Sequence, residues 1–218
     1  MDEPDITDLA RLHRRCLTDS LVTAMGEAYV RSFYRYVTRS DREFVVVERG
    51  VVAGSGAGPV GTGSSDTGHG GSGHGDTARI VAAAVVSLQP ANFYRRLLLH
   101  TSLVPSLIRH SGALLAAWWA PHHPSPVIAA ASLARVPAGT PEMILIFTAP
   151  DQRGTGRGSA LLRQVESGLR ARAVRAYQVR TELDPSNRAL EFYRTRGFVP
   201  LGVSTRLGTP FQVFLRSL

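Results

Sequence analysis

The chain has 218 residues, 44% of them hydrophobic, enough for one sizeable core, and a formal net charge of +8 in which all 25 basic residues are arginine. A single cysteine, Cys16, excludes an internal disulfide and suits a reducing compartment; the acidic start Met1-Asp2-Glu3 is unlike a secretory leader. No apolar run reaches the roughly 18 residues of a spanning helix, so a cytoplasmic protein without a spanning segment is expected. Arginine without lysine reads as biased composition rather than as a nucleic-acid footprint, and no nucleic-acid partner is expected.

In chain order, Ile6, Leu9, Leu12 and Cys16 lie at helical spacing over Asp5 to Ser20, and Leu21, Met25, Tyr29, Phe33 and Tyr36 do so over Ser20 to Thr38. Two amphipathic helices are predicted, with Cys16 as a packing residue. Tyr29, Tyr34 and Tyr36 are either core or the lining of a pocket. Phe44 to Val47 and Ile80 to Leu88 are predicted strands. Between them, Gly54 to Asp76 is a Gly/Ser/Thr/His tract too polar to offset its ordering entropy, and a disordered hairpin loop is expected. The G-x-G-x-x-G at Gly56 to Gly61 opens no helix and so is not a dinucleotide fingerprint. His69 and His74 lack further ligands at metal spacing, and no metal is expected.

Ala91 to Ala120 is apolar beyond the needs of one core face and is punctuated by Pro105 and Gly112. Two inserted helices are predicted there. They pack on the core, cap a site, make a homodimer contact or touch a membrane surface peripherally. Pro121 to Pro141 reads as linker, with Val127 to Leu133 as a candidate strand.

The most informative stretch is Met143 to Leu162. An apolar strand, Met143 to Thr148, gives way at Ala149-Pro150-Asp151 to Arg153-Gly154-Thr155-Gly156-Arg157-Gly158. A helix follows, with Leu161, Val165 and Leu169 four apart. Alternate glycines allow close backbone approach, and a helix start adds unpaired N–H donors and a positive dipole end, which together favour an anion. The turn is not a P-loop, because the required lysine is missing. Further on, a strand over Ala176 to Leu183, a helix over Asn187 to Arg196 stopped by Gly197, and an antiparallel pair, Phe198 to Val203 with Phe211 to Leu215, complete the chain.

Arg153, Gly156 and Gly158 after an apolar strand resemble the Arg/Gln-x-x-Gly-x-Gly/Ala pyrophosphate loop of the GNAT superfamily of N-acetyltransferases. Ala189, Phe192-Tyr193 and Gly197-Phe198 resemble that superfamily's N-x-x-A-x-x-F-Y-x-x-x-G-F element from its alanine onward, with Asn187 one residue closer to Ala189 than the pattern places its asparagine. The resemblance covers about residues 142 to 217.

It implies an α/β (α+β) fold over the whole chain: a mixed, largely antiparallel sheet with two parallel central strands splayed at an acyl-CoA cleft, and helices on both faces. A strand usually precedes the helix pair in this family, and at most Asp2 to Ile6 is available for it here. The implied co-substrate is acetyl-CoA and the implied partner a small-molecule amine, an amino sugar among the candidates. An acyl-CoA-binding sensor or non-catalytic interaction module, or an acetyltransferase acting on protein or peptide amines, is the alternative.

By the same resemblance, acetyl-CoA would lie on Phe147, Thr148, Arg153, Gly154, Thr155, Gly156, Arg157, Gly158, Ser159 and Asn187, with the Thr148 N–H near the thioester oxygen. Tyr193 occupies the position of the acid that protonates the CoA sulfur. Glu142, eleven residues before Arg153, stands at the spacing of the glutamate that deprotonates the amine. Core packing for Tyr193, helix capping for Asn187 and a solvated strand-start carboxylate for Glu142 are the competing structural roles.

Overall fold

The computed structural model describes residues 1–18, 20–50, 79–99, 136–206 and 208–218. The tract from Gly54 to Asp76, the second inserted helix and the candidate strand Val127 to Leu133 lie outside the described residues.

Helix α1 (Glu3–Cys16) starts sharply because the Asp2 carboxylate accepts from the Asp5 N–H at 3.0 Å and Pro4 sits in the first turn. Its acidic first turn and basic last turn complement the helix dipole. No strand forms at Asp2 to Ile6, the only stretch available for one before the helix pair, since these residues cap and enter the helix directly. The second predicted helix is divided into α2 (Leu21–Ala24) and α3 (Glu27–Arg39), because Gly26 adopts φ +86° between them.

Six strands form one sheet: β1 (Glu43–Gly50), β2 (Arg79–Ser87), β3 (Glu142–Thr148), β4 (Ala176–Glu182), β5 (Val199–Arg206) and β6 (Thr209–Ser217), ordered β1-β2-β3-β4-β6-β5. Every neighbouring pair is antiparallel except β3–β4. Helix α4 (Phe93–Leu99) follows β2 after a single 3-10 turn, α5 (Arg157–Arg170) follows the glycine loop, and α6 (Ala189–Arg194) precedes β5. The mixed, mostly antiparallel α/β sheet is therefore as expected.

The core has two layers. On one face Leu9, Val30, Phe33, Tyr34, Phe93 and Phe147 pack α1, α3 and α4 onto β1–β3, and Cys16 packs against this cluster. On the other face Leu161, Val165, Leu169, Tyr177, Tyr193 and Phe214 pack α5 and α6 onto β2, β4 and β6. Tyr29 and Tyr34 belong to the first core, and Tyr36 is partly buried against it. Among the described residues no helix is long and apolar enough to cross a membrane.

Candidate active site

The parallel pair β3–β4 is matched only at Glu142↔Gln178 and Met143↔Val179. Beyond Met143 the two strands diverge, although β3 runs on to Thr148 still paired with β2, across a one-residue register shift at Ile144. A wedge therefore opens in the middle of the sheet. The Ala149 N–H donates to the Val81 carbonyl at 2.8 Å. Backbone groups of an antiparallel strand alternate sides, so Ala149 and Phe147 face β2, while Thr148 and Ile146 face the wedge.

Phe147 is thus placed differently from its expected ligand role. Its ring is buried against His13, with centroids 5.5 Å apart, and its backbone is committed to the β2 side. Ile146, which no motif marks, takes its place beside Thr148. The Thr148 carbonyl accepts from Arg153 Nε at 3.4 Å and from the Cys16 thiol at 3.5 Å.

At the mouth of the wedge the chain makes a 3-10 turn (Pro150–Gln152) and then the glycine loop. Gly154 and Gly156 adopt φ +78° and +84°, conformations that side chains disfavour, and Gly156 caps α5. Gly158 has a different reason to be glycine: a Cβ there would meet the Phe192 ring at 3.3 Å. Two glycines shape the loop, and the third lets α6 approach α5.

The other loop side chains are turned toward the protein. The Thr155 hydroxyl donates to the Gln152 carbonyl at 2.7 Å, and Arg157 reaches the Arg49 carbonyl at 3.2 Å and Glu48 at 3.8 Å. The loop ends at the start of α5, and a helix start leaves backbone N–H groups unpaired, the feature that suits a diphosphate. One residue that sequence reasoning missed joins them. Arg196 donates to Ser159 Oγ from Nε and Nη2 at 3.0 and 2.7 Å, and its guanidinium lies 3.9 Å over the Phe192 ring. It brings a positive charge beside the loop. The available signal is its spacing four residues after Phe192, which puts the two on one helix face.

Asn187 is occupied structurally. Its amide donates to Thr181 Oγ1 at 3.0 Å and to the Glu182 carbonyl at 2.8 Å, while its oxygen accepts from the Ala189 N–H at 3.1 Å. It fastens the end of β4 to the start of α6.

Tyr193 is 3% exposed, with ring centroids of Phe192, Phe198 and Phe214 at 5.3, 5.1 and 5.7 Å. Burial pushes its phenol well above the ordinary value. Glu142 is buried at the vertex of the wedge, where Oε2 accepts from Gln178 Nε2 at 3.2 Å and pairs with Arg180 Nη2 at 3.3 Å. Tyr177 and Val179 of β4 pack toward α5, so by strand alternation Gln178 and Arg180 point to the opposite face. The tyrosine and the glutamate cluster consequently flank the sheet from opposite sides. Thr148 stands six positions after Glu142, about 20 Å along the strand.

The sheet and the helices packed on it share their fold with several solved acetyltransferases. Residues 117–200 match the family model described as the acetyltransferase (GNAT) domain. Among solved structures of the same fold, an N-acetyltransferase from Staphylococcus aureus Mu50 aligns at TM-score 0.55 and 10% identity, over 100% of this chain and 94% of its own. A ribosomal-protein-alanine N-acetyltransferase from Brucella melitensis aligns at TM-score 0.53 and 13% identity, over 100% and 97%. The ribosomal-protein-S18-alanine N-acetyltransferase from Escherichia coli aligns at 0.50 and 11%, over 100% and 90%. No curated protein matches the chain in sequence.

Proposed function

We propose that this protein is an acetyl-CoA-dependent N-acetyltransferase that transfers the acetyl group to a primary amine by direct attack in a ternary complex. The observation that carries this is the wedge beyond Met143, with the amide cradle of residues 153–159 at its mouth. The diphosphate then lies on the cradle beside Arg196, and the pantetheine arm runs down the wedge along the free edge of β3. The N–H groups of Thr148 and Ile146 face that arm, and one of them donates to the thioester oxygen.

The amine nitrogen attacks the thioester carbonyl carbon, the tetrahedral intermediate collapses with cleavage of the C–S bond, and an amide and CoA thiol result. Glu142 lies four positions from Ile146 and six from Thr148, roughly 14 to 20 Å along the strand, too far to take the proton directly, so the proton that the nitrogen gives up reaches it through water. Tyr193 supplies a proton to the departing thiolate. Because burial raises the phenol, it remains a neutral O–H donor throughout the neutral range, and the same apolar surroundings raise the basicity of the thiolate. The ribosomal-protein-alanine N-acetyltransferases among the structural relatives are named for protein amines, so peptide amines belong in any acceptor screen beside amino sugars and polyamines.

The test is Tyr193→Phe, assayed on a good acceptor under single-turnover conditions. The ring and its packing are kept and the hydroxyl is removed. Acetyl-CoA affinity and melting temperature should hardly change, and the rate should fall about a hundredfold or more, the usual scale of general acid catalysis. A rate within about threefold of wild type would remove Tyr193 from the mechanism. Acetyl-CoA binding with no turnover on any amine class would make the protein an acyl-CoA sensor instead.

A further inference from the structure

A cation at the start of a helix meets the positive end of its dipole, a place that favours negative groups. Arg196 stands there, since its Nε and Nη2 donate to Ser159 Oγ in the first turn of α5 at 3.0 and 2.7 Å. That turn contains no acidic residue. Arg157 within it is paired with Glu48 at 3.8 Å, but among the described residues no carboxylate pairs with Arg196. Its charge is therefore uncompensated.

The side chain is nonetheless held in place. Nη1 donates to the Phe192 carbonyl and to Thr195 Oγ1, both at 3.1 Å, and the guanidinium stacks on the Phe192 ring for which Gly158 leaves room. Four of its five N–H groups are thus committed, none of them to an acid. The consequence falls on Ser159. Its oxygen accepts from both arms of the guanidinium, so its single hydrogen points away from Arg196, and no group among the described residues receives it. Ser159 is also the third residue of α5, where the backbone N–H has no partner within the helix. One residue therefore offers two donors beside an unbalanced cation, and an anion with several oxygens satisfies all three.

We propose that Arg196 is a positioning residue for the acyl donor. It holds the Ser159 hydroxyl as an obligatory donor to a diphosphate oxygen, and its charge makes the enzyme select a thioester that carries a diphosphate. This rests on the acetyltransferase function proposed above and adds to it a residue, outside the glycine loop, that sets donor specificity.

The experiment measures dissociation constants of CoA, dephospho-CoA and pantetheine by calorimetry, which requires no acceptor. Dephospho-CoA lacks the 3′-phosphate, and pantetheine lacks the diphosphate and the nucleotide. Arg196→Met and Ser159→Ala should each weaken CoA and dephospho-CoA alike by at least about tenfold, the scale of a hydrogen bond to a charged group. The ratio of CoA to pantetheine affinity should fall by the same factor. In the double variant the losses should be far from additive, because each change breaks the same unit.

A loss of pantetheine affinity as large as that of CoA would show Arg196 to be purely structural, and a loss on CoA that dephospho-CoA does not share would show that it reads the 3′-phosphate. Either result overturns the proposal. So do CoA affinities within about threefold of wild type in both variants, or fully additive losses. Alanine suits a helix, so Ser159→Ala tests the pair even if Arg196→Met folds poorly. All of these outcomes leave the acetyltransferase function standing. If the wild-type protein binds no CoA at all, that function falls, and this proposal falls with it.

Discussion

Single residues decide whether the loop holds an anion. Gly156 has φ +84° with open space around its Cα, so a side chain there meets backbone strain rather than a clash. Gly156→Asp adds that strain, of about 1 kcal/mol, and sets a carboxylate where phosphate oxygens would lie. Acetyl-CoA at about a hundred times its dissociation constant should add roughly 2.7 kcal/mol to wild-type stability and nothing measurable to the variant. Equal thermal shifts in both proteins would move the CoA site away from this loop. His13 makes a second prediction at this scale. It is fully buried, with Nδ1 2.8 Å from the Tyr34 hydroxyl and Nε2 3.4 Å from Ser20 Oγ, and burial lowers its pKa to about 4. The folded state therefore takes up a proton only at lower pH than the unfolded chain, whose imidazole titrates near 6.5. Stability from this group is present in full above pH 6.5 and drains away as the pH falls toward 4, by about 2 kcal/mol at pH 5. Urea denaturation of wild type and His13→Gln between pH 7 and 5 should show the slope in wild type alone.

At the scale of elements, α4 is fastened by a buried polar cluster rather than by apolar packing alone. The Glu43 side chain is fully buried and accepts from Arg96, from Ser87 Oγ at 3.1 Å and from Ser40 Oγ. Arg96 also donates to the Tyr36 hydroxyl at 3.2 Å and the Gln89 carbonyl at 3.0 Å, so one ion pair ties α4 to α3, β1 and β2. Removing one partner strands a buried charge. Arg96→Met should cost about 3 kcal/mol, and Arg96→Met combined with Glu43→Gln should recover much of the loss, as replacement of whole buried pairs does. Additive losses in a double-mutant cycle would show that the two side chains act independently. None of this is legible in the sequence, because Glu43 and Arg96 are 53 residues apart and nothing local marks a partner at that distance. The elements themselves are legible wherever periodicity and punctuation agree. The strand starting at Met143, the glycine turn, the helix carrying Leu161, Val165 and Leu169, and the left-handed stop at Gly197 all appear within a residue or two of their predicted bounds. The break at Gly26 escapes such reasoning, because apolar spacing runs across it. At the site, the loop's backbone conformation is foreseeable from its glycines. Which side chains turn inward, as Arg157 and Asn187 do, depends on partners from distant strands and turns.

At the scale of the whole molecule, the wedge depends on β3 keeping its ladder with β2 while it loses its ladder with β4, so whatever supports β2 supports the site. β2 in turn is held by β1 in a register that runs from Glu43↔Ser87 to Gly50↔Arg79, and the connection between these strands starts and ends at that last pair. Eight paired positions lock the register before the connection contributes anything. Loop length enters closure entropy only logarithmically, at about 0.6 kcal/mol per doubling, so a connection cut to a few residues should change stability by about 1 or 2 kcal/mol at most, in the favourable direction if the short turn is unstrained. The composition of Gly54 to Asp76, dominated by Gly, Ser, Thr and His, supplies little apolar surface that its removal could take from a core. Replacing Ser55 to Gly75 by a short Gly/Ser turn should therefore leave a single cooperative unfolding transition, and the acetyl-CoA thermal shift should persist at full size. Both readouts are needed. A protein that folds cooperatively but no longer responds to acetyl-CoA would place ligand contacts in the tract, whereas lost cooperativity would show that the tract is part of the folded core and that the β1–β2 register does not hold without it.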